Sequence, residues 1–229
     1  MINETVDVEY NTGGNLDKRN IWSSWAIKHF GEMKTAKVAG LFPKKEGWRN
    51  VVEHSLVVNA TAVFLARKIA GSGQIIDQEI VDTASIVHDV AKRTDKENKV
   101  SRNDEHTAGA TSIILKDYPD EVLRAAQYSG RVAEIFLTEV EQDLAISIKP
   151  TEDLIVAYAD ARVRNTNIVS LEEARDKNKQ KIPDDADFYN KWYSFYHKVE
   201  TRLISLANIK PSDISEENVF QMVKSENIK

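Results

Sequence analysis

The chain contains no cysteine. Disulfides, thiol nucleophiles and cysteine-based zinc or iron–sulfur centres are therefore excluded, and His, Asp and Glu remain as the strong metal ligands. Breakers are scarce, with nine glycines and five prolines among 229 residues. The apolar residues recur mostly at three- and four-residue steps, and both facts favour helices. No uncharged apolar run approaches the roughly 20 residues that a membrane helix needs. The opening MINETVDVEYNTGG is acidic and polar, unlike a signal or transit peptide, so the expected location is cytoplasmic. A net charge of −5 offers no broad basic footprint for duplex nucleic acid, but leaves room for a local basic pocket of nucleotide size.

A hydrophobic share of 41% and a charged share of 29% are those of an ordinary globular protein long enough to bury a core. Residues 1–18 read as a flexible leader, with Gly13-Gly14-Asn15 a turn, ahead of a single helical domain over 19–229. Its core spans about 49–165 and further helices fill 166–229. Ile21–Phe30 reads as a short helix carrying Trp22 and Trp25. A long helix from about Val51 to Ala70 stops at Gly71-Ser72-Gly73. A third runs from about Ile75 to Lys92, followed by the polar stretch Arg93–Asp104 and a helix over Glu105–Lys116. Pro119 suits the first turn of the next helix. Lys149-Pro150-Thr151 starts another that reaches about Arg164, with Thr151 or Glu152 near its cap. Pro183-Asp184-Asp185 opens the last long helix, where Phe188, Trp192, Phe195, Val199, Arg202 and Leu203 follow helical spacing. Ala145–Ile148 comes nearest to a strand, without a convincing period of two. The expected fold class is all-α.

Three apolar helices each carry a polar residue on a face that should be apolar. His88 lies on the stripe of Val81 and Ala84, and Asp89 follows it. Lys92, at i+4 from His88 and i+3 from Asp89, completes a polar cluster at that helix end. Asp160 sits with Val156, Ala157 and Val163 in the stretch LIVAYAD. His54 lies in VVEHSLVV, with Val51, Val57 and Val58 at i−3, i+3 and i+4. Unpartnered acids and imidazoles in such places are expensive. A shared divalent metal would resolve all of them together. Taken singly, a buried histidine is more often a satisfied core residue, and Asp160 could cap a helix or pair with Arg162 or Arg164. The ordered set, a His, then a His-Asp doublet 34 residues on, then an Asp in a third helix, is what separates the two readings.

The segments EHSLVVNATAVFLA around His54, SIVHDVAK around His88-Asp89 and VAYADARVR around Asp160 resemble the HD superfamily of metal-dependent phosphohydrolases. The resemblance covers roughly Arg49 to Arg164. It implies an orthogonal all-α HD-domain bundle in which His54, His88, Asp89 and Asp160 converge on one divalent ion, here followed by an additional C-terminal helical segment. HDVAK resembles the HD-x-x-K variant, which implies a phosphate contact for Lys92. EHTAGA, Glu105–Ala110, resembles a segment of branches with a second metal, such as bacterial dinucleoside tetraphosphate hydrolases, and makes His106 a candidate ligand for that ion. Those branches usually carry a further histidine in a segment like HTTG, where this chain has Gln127-Tyr128-Ser129-Gly130, so one ion per chain is expected. The pattern of Arg49, Asn50 and Glu53–Ser55 is similar to HD 5′-nucleotidases, which generally have Glu in place of Lys92.

The activity so implied is hydrolysis of a phosphate ester of a nucleotide or similar small molecule by metal-activated water, with Mn, Fe, Ni, Co, Zn and Mg all open as the metal. Asp89 would orient the water and act partly as its base. Lys92, with Arg49, Arg93 or Arg162, would offset charge developing on phosphate. Lys92 equally suits a helix C-terminus, and Arg93 and Arg162 suit solvated or structural roles better. Trp48, beside Arg49, is the tryptophan best placed by sequence to line a substrate pocket. His29 and His197 stand at no motif position. Three rival functions remain. The first is a degenerate HD domain acting as a metal- or nucleotide-binding sensor or interaction module. The second is a di-iron oxygenase, disfavoured by Gln127. The third is a nucleic-acid phosphodiesterase, disfavoured by charge. The amphipathic stretch DFYNKWYSFYHKVETRLISLANI suits packing on the domain or a dimer face, leaving monomer and homodimer both open.

Overall fold

The computed structural model describes Ser24, Trp25, Lys28 and residues 49–90, 111–129 and 133–226. Helix α1, Arg49–Gly71, is the long helix expected from the apolar run. From Glu53 to Ala66 every residue on it is buried, as a helix apolar all round requires. Asn59 and Thr61 in its interior are satisfied, Thr61 by donating to the Val57 carbonyl at 2.8 Å. Asn59 accepts the indole N–H of Trp25 at 2.8 Å and donates to the Asp82 carbonyl at 2.8 Å and the Ser85 hydroxyl at 3.0 Å. The helix ends where Gly73 takes φ +91°, letting the Gln74 N–H return to the Ile69 carbonyl at 3.3 Å.

Helix α2, Gln78–Val87, is shorter than the expected Ile75–Lys92. Asp77 caps it by accepting from the N–H groups of Glu79 and Ile80, and Ile75 stays fully exposed outside it. His88 is its C-cap, and Asp89 and Val90 lie in the closing turn. Of the helix expected over Glu105–Lys116, residues 111–114 are helical and 105–110 lie outside the described residues. The leader 1–18 lies outside them as well, and of Ile21–Phe30 the three described residues are helical.

Helix α3, Asp120–Tyr128, has Pro119 at its N-cap rather than inside its first turn. Helix α4, Glu139–Ile148, absorbs Ala145–Ile148, the stretch nearest to a strand by sequence. It is started by a capping box between Thr138 and Glu141. Helix α5, Thr151–Arg162, begins after Pro150 with no side-chain cap, so neither Thr151 nor Glu152 has that role. It also stops two residues early, because Val163–Arg164 and Asn167–Ile168 extend as β1 and β2. These pair antiparallel in the register Val163 with Ile168 and Arg164 with Asn167. Helices α6, Leu171–Lys181, α7, Ala186–Ala207, and α8, Glu216–Glu226, complete the described chain. A short 3-10 turn, Pro183–Asp185, leads into α7.

Among the described residues the fold is all-α apart from that four-residue ribbon. Helix α1 packs against α2, α5, α7 and α8, while α2, α3 and α5 pack on one another. One hydrophobic cluster runs from Trp25 through Leu56, Ile155 and Phe195 to Val223, so α7 and α8 share the core of the helices before them. No helix among the described residues is long and apolar enough to cross a membrane.

Candidate metal centre

Three elements that share the core deliver four side chains to one place. His54 comes from the N-terminal half of α1, His88 and Asp89 from the turn closing α2, and Asp160 from the last turn of α5. The His54 and His88 rings lie 5.6 Å apart between centroids. Asp160 Oδ1 stands 3.0 Å from His54 Nε2 and 3.4 Å from His88 Nε2. Asp89 offers Oδ2 at 3.9 Å from His54 Nε2 and Oδ1 at 3.7 Å from His88 Nε2. One ligand atom each from His54, His88 and Asp89 lie within 4.8 Å of one another, a group that could hold a metal ion. Donors bound at about 2.1 Å with near right-angle separation stand about 3 Å apart. The Asp160 contacts are therefore of ligand-to-ligand length.

Both imidazoles are oriented from behind. His54 Nδ1 meets the backbone carbonyl of Asn165 at 3.0 Å, and His88 Nδ1 meets that of Ser85 at 2.7 Å. A carbonyl can only accept, so each neutral ring carries its proton on Nδ1 and presents an Nε2 lone pair to the shared space. Two consequences fit a cation. His88 Nε2 is buried and has no hydrogen-bond partner. In the neutral His54 ring, the Nε2 lone pair would face a carboxylate oxygen of Asp160, an opposition that a positive ion between them relieves.

The electrostatics agree. Burial works against a charged His88, but the Asp89 and Asp160 carboxylates outweigh it and raise its pKa to about 9. Burial likewise opposes ionised Asp160, yet His88 and His54 hold its carboxyl well below the usual range. Without a metal the site holds its negative charge against a proton, which is the competition expected of a cation site. On α7, burial first and the Asp160 charge second push the Tyr196 hydroxyl well above its ordinary pKa, so this wall stays neutral.

Of the expected substrate contacts, Lys92, Arg93, Trp48 and the second-metal candidate His106 lie outside the described residues, as does the side chain of Arg49. Arg162 is buried. Its guanidinium serves the Tyr158 hydroxyl, Glu200 and the carbonyls of Val169 and Ile214 rather than an open pocket. Asp160 pairs with the two histidines and not with Arg162 or Arg164 as a simple salt bridge. Ser85 and Asp82, on the same side as Asp89 by sequence, are tied to Asn59. The carbonyls of Ser85 and Asn165 escaped the sequence reading. Ser85 stands at i−3 from His88 and could have been found by spacing, whereas a carbonyl 111 residues from His54 leaves no residue-type signal.

Comparison with protein families matches residues 51–165, half of the chain, to the HD domain. The chain belongs to the HD-domain family, whose members are generally metal-dependent phosphohydrolases. No curated protein and no solved structure matches it.

Proposed function

We propose that this protein is a cytoplasmic, metal-dependent phosphohydrolase that cleaves a phosphate ester of a nucleotide or a similar small molecule, with one divalent ion per chain. The observation that carries the reading is the pair of Nε2 atoms turned toward Asp89 and Asp160, one of them buried and without a hydrogen-bond partner. His54, His88, Asp89 and Asp160 would hold the ion. When bound, it supplies Lewis acidity toward a phosphoryl oxygen and toward water.

The chain's own groups do the rest. The Asp89 carboxylate is partly exposed and can orient a water and accept its proton. Asp160 is held anionic by the two imidazoles, while the carbonyls of Asn165 and Ser85 keep both rings aimed inward. Lys92 is assigned to negative charge on the departing phosphate. A single ion is favoured by Gln127, which stands where two-metal branches carry a histidine and donates its amide to the Ser112 hydroxyl at 3.0 Å.

The test is elemental analysis after loading with manganese, iron, nickel, cobalt, zinc or magnesium, followed by a phosphoester panel on the loaded protein. About one ion per chain, lost together with hydrolysis in a His88→Ala, Asp89→Ala double variant, is the expected result. A loaded chain inert on the whole panel would leave a metal-binding sensor, and two ions would bring His106 into the site.

A further inference from the structure

His54 takes its orientation from a ribbon too small to be stable alone. Strands β1 and β2 have two residues each and are joined through Asn165 and Thr166. Asn165 has φ +56°, the left-handed region that asparagine tolerates and β-branched residues resist. That backbone conformation belongs to the turn whose Asn165 carbonyl meets His54 Nδ1 at 3.0 Å, while the Asn165 side chain is exposed.

The ribbon is held from outside. At its base the Val169 N–H donates to the Arg162 carbonyl at 2.8 Å, and Arg162 Nε donates back to the Val169 carbonyl. The same guanidinium donates through Nη2 to the Ile214 carbonyl at 2.9 Å and through Nη1 to Glu200 Oε1 at 3.3 Å and the Tyr158 hydroxyl. Glu200 lies on α7 and Ile214 lies just before α8, both beyond the family match. One buried side chain thus ties α5, the ribbon and the C-terminal helices together.

We propose that Asn165 is the positioning residue of His54, and that Arg162, held by Glu200 and the Ile214 carbonyl beyond the HD match, anchors its turn and so tunes the metal affinity. The affinity part rests on the metal reading; the positioning part does not. Outer partners of this kind typically change metal affinity by about 10–100-fold.

The experiment follows the Nδ1–H signal of His54 in ¹⁵N-histidine-labelled full-length protein, metal-free and zinc-loaded, with His54→Gln identifying the signal among five histidines. Zinc affinity is measured in parallel by titration. Asn165→Gly keeps the left-handed turn and should preserve both the protected proton and the affinity. Asn165→Val opposes that conformation and should lose the proton's protection and about 10–100-fold in affinity, with folding checked by circular dichroism. Arg162→Met, its folding checked in the same way, should act in the same direction. Asn165→Val with an unchanged Nδ1–H signal overturns the proposal, whatever its stability. If wild type binds no zinc but the signal is present in wild type and Asn165→Gly and lost in Asn165→Val, the positioning role stands and the metal reading falls.

Discussion

His88 and Asp160 approach to 3.4 Å between Nε2 and Oδ1, one from the turn that closes α2 and the other from the last turn of α5. Neither is placed by its own helix alone. Helices α2 and α5 pack on each other and on α1, and their shared apolar faces bring an imidazole and a carboxylate to one point. The Asp89 and Asp160 carboxylates favour the protonated form of His88 when no metal is bound, and that makes the site pH-sensitive in two opposite ways.

The His88 pKa is raised from 6.5 to about 9 in the metal-free fold. Its contribution to stability is therefore complete below about pH 6.5 and disappears as pH rises through about 9. The melting temperature of the metal-free protein should fall over that window. Metal must displace the same proton, so affinity should rise with pH by up to about tenfold per unit until His88 is neutral. Calorimetric scans of metal-free and zinc-loaded protein at several pH values check both slopes, and parallel slopes would show that proton and metal do not compete.

Asp160→Asn keeps the shape of the side chain and removes its charge. His88 then loses one of the two carboxylates that raise its pKa, and the oxygen 3.0 Å from His54 Nε2 loses its negative charge. Metal affinity should fall by more than the 10–100-fold typical of outer partners. Direct titration with manganese or zinc measures it, and an affinity equal to wild type would remove Asp160 from the ligand set.

Asn59→Leu should destabilise the protein by about 1–3 kcal/mol, because the Trp25 indole N–H loses its buried acceptor. Urea unfolding gives the magnitude. The metal stoichiometry should not change, since Asn59 binds Trp25, Asp82 and Ser85 and none of the four cluster residues.

Arg124→Ala should lose about 1–3 kcal/mol at neutral pH, since it strands the fully buried Asp153 carboxylate that Arg124 holds at 2.9 Å. Burial already raises the Asp153 pKa against the pull of Arg124. Protonation neutralises the stranded group, so the penalty should shrink as pH falls into the carboxylate range. A loss that stays constant down to that range would mean Asp153 is not the group affected.

Much of this was legible in advance. The long stretch rich in apolar residues marked α1, and the doublet after Val81, Ala84 and Val87 marked the polar end of α2. Boundaries read less well. Asp77 as a cap moved the start of α2 past Ile75, because one side-chain oxygen satisfying two N–H groups outweighs two isoleucines. Helix α4, where Ala145–Ile148 came nearest to a strand by sequence, carries Val140, Leu144 and Ile148 on a face that stays exposed. The ribbon was invisible because two-residue strands are too short to show a period.

By itself the sequence determined that α1, α2, α5 and α7 form and that the first three carry His54, His88, Asp89 and Asp160 on them or at their ends, since helical period and residue type are local properties. Tertiary structure decided which nitrogen of each imidazole faces the cluster, that Asp160 partners the histidines, and that Arg162 serves the ribbon instead of a substrate. The physical reason is that these outcomes depend on backbone carbonyls and long-range packing. Every residue but proline carries the same N–H and C=O, so the carbonyl of Asn165 becomes distinctive only when folding sets it 3.0 Å from His54.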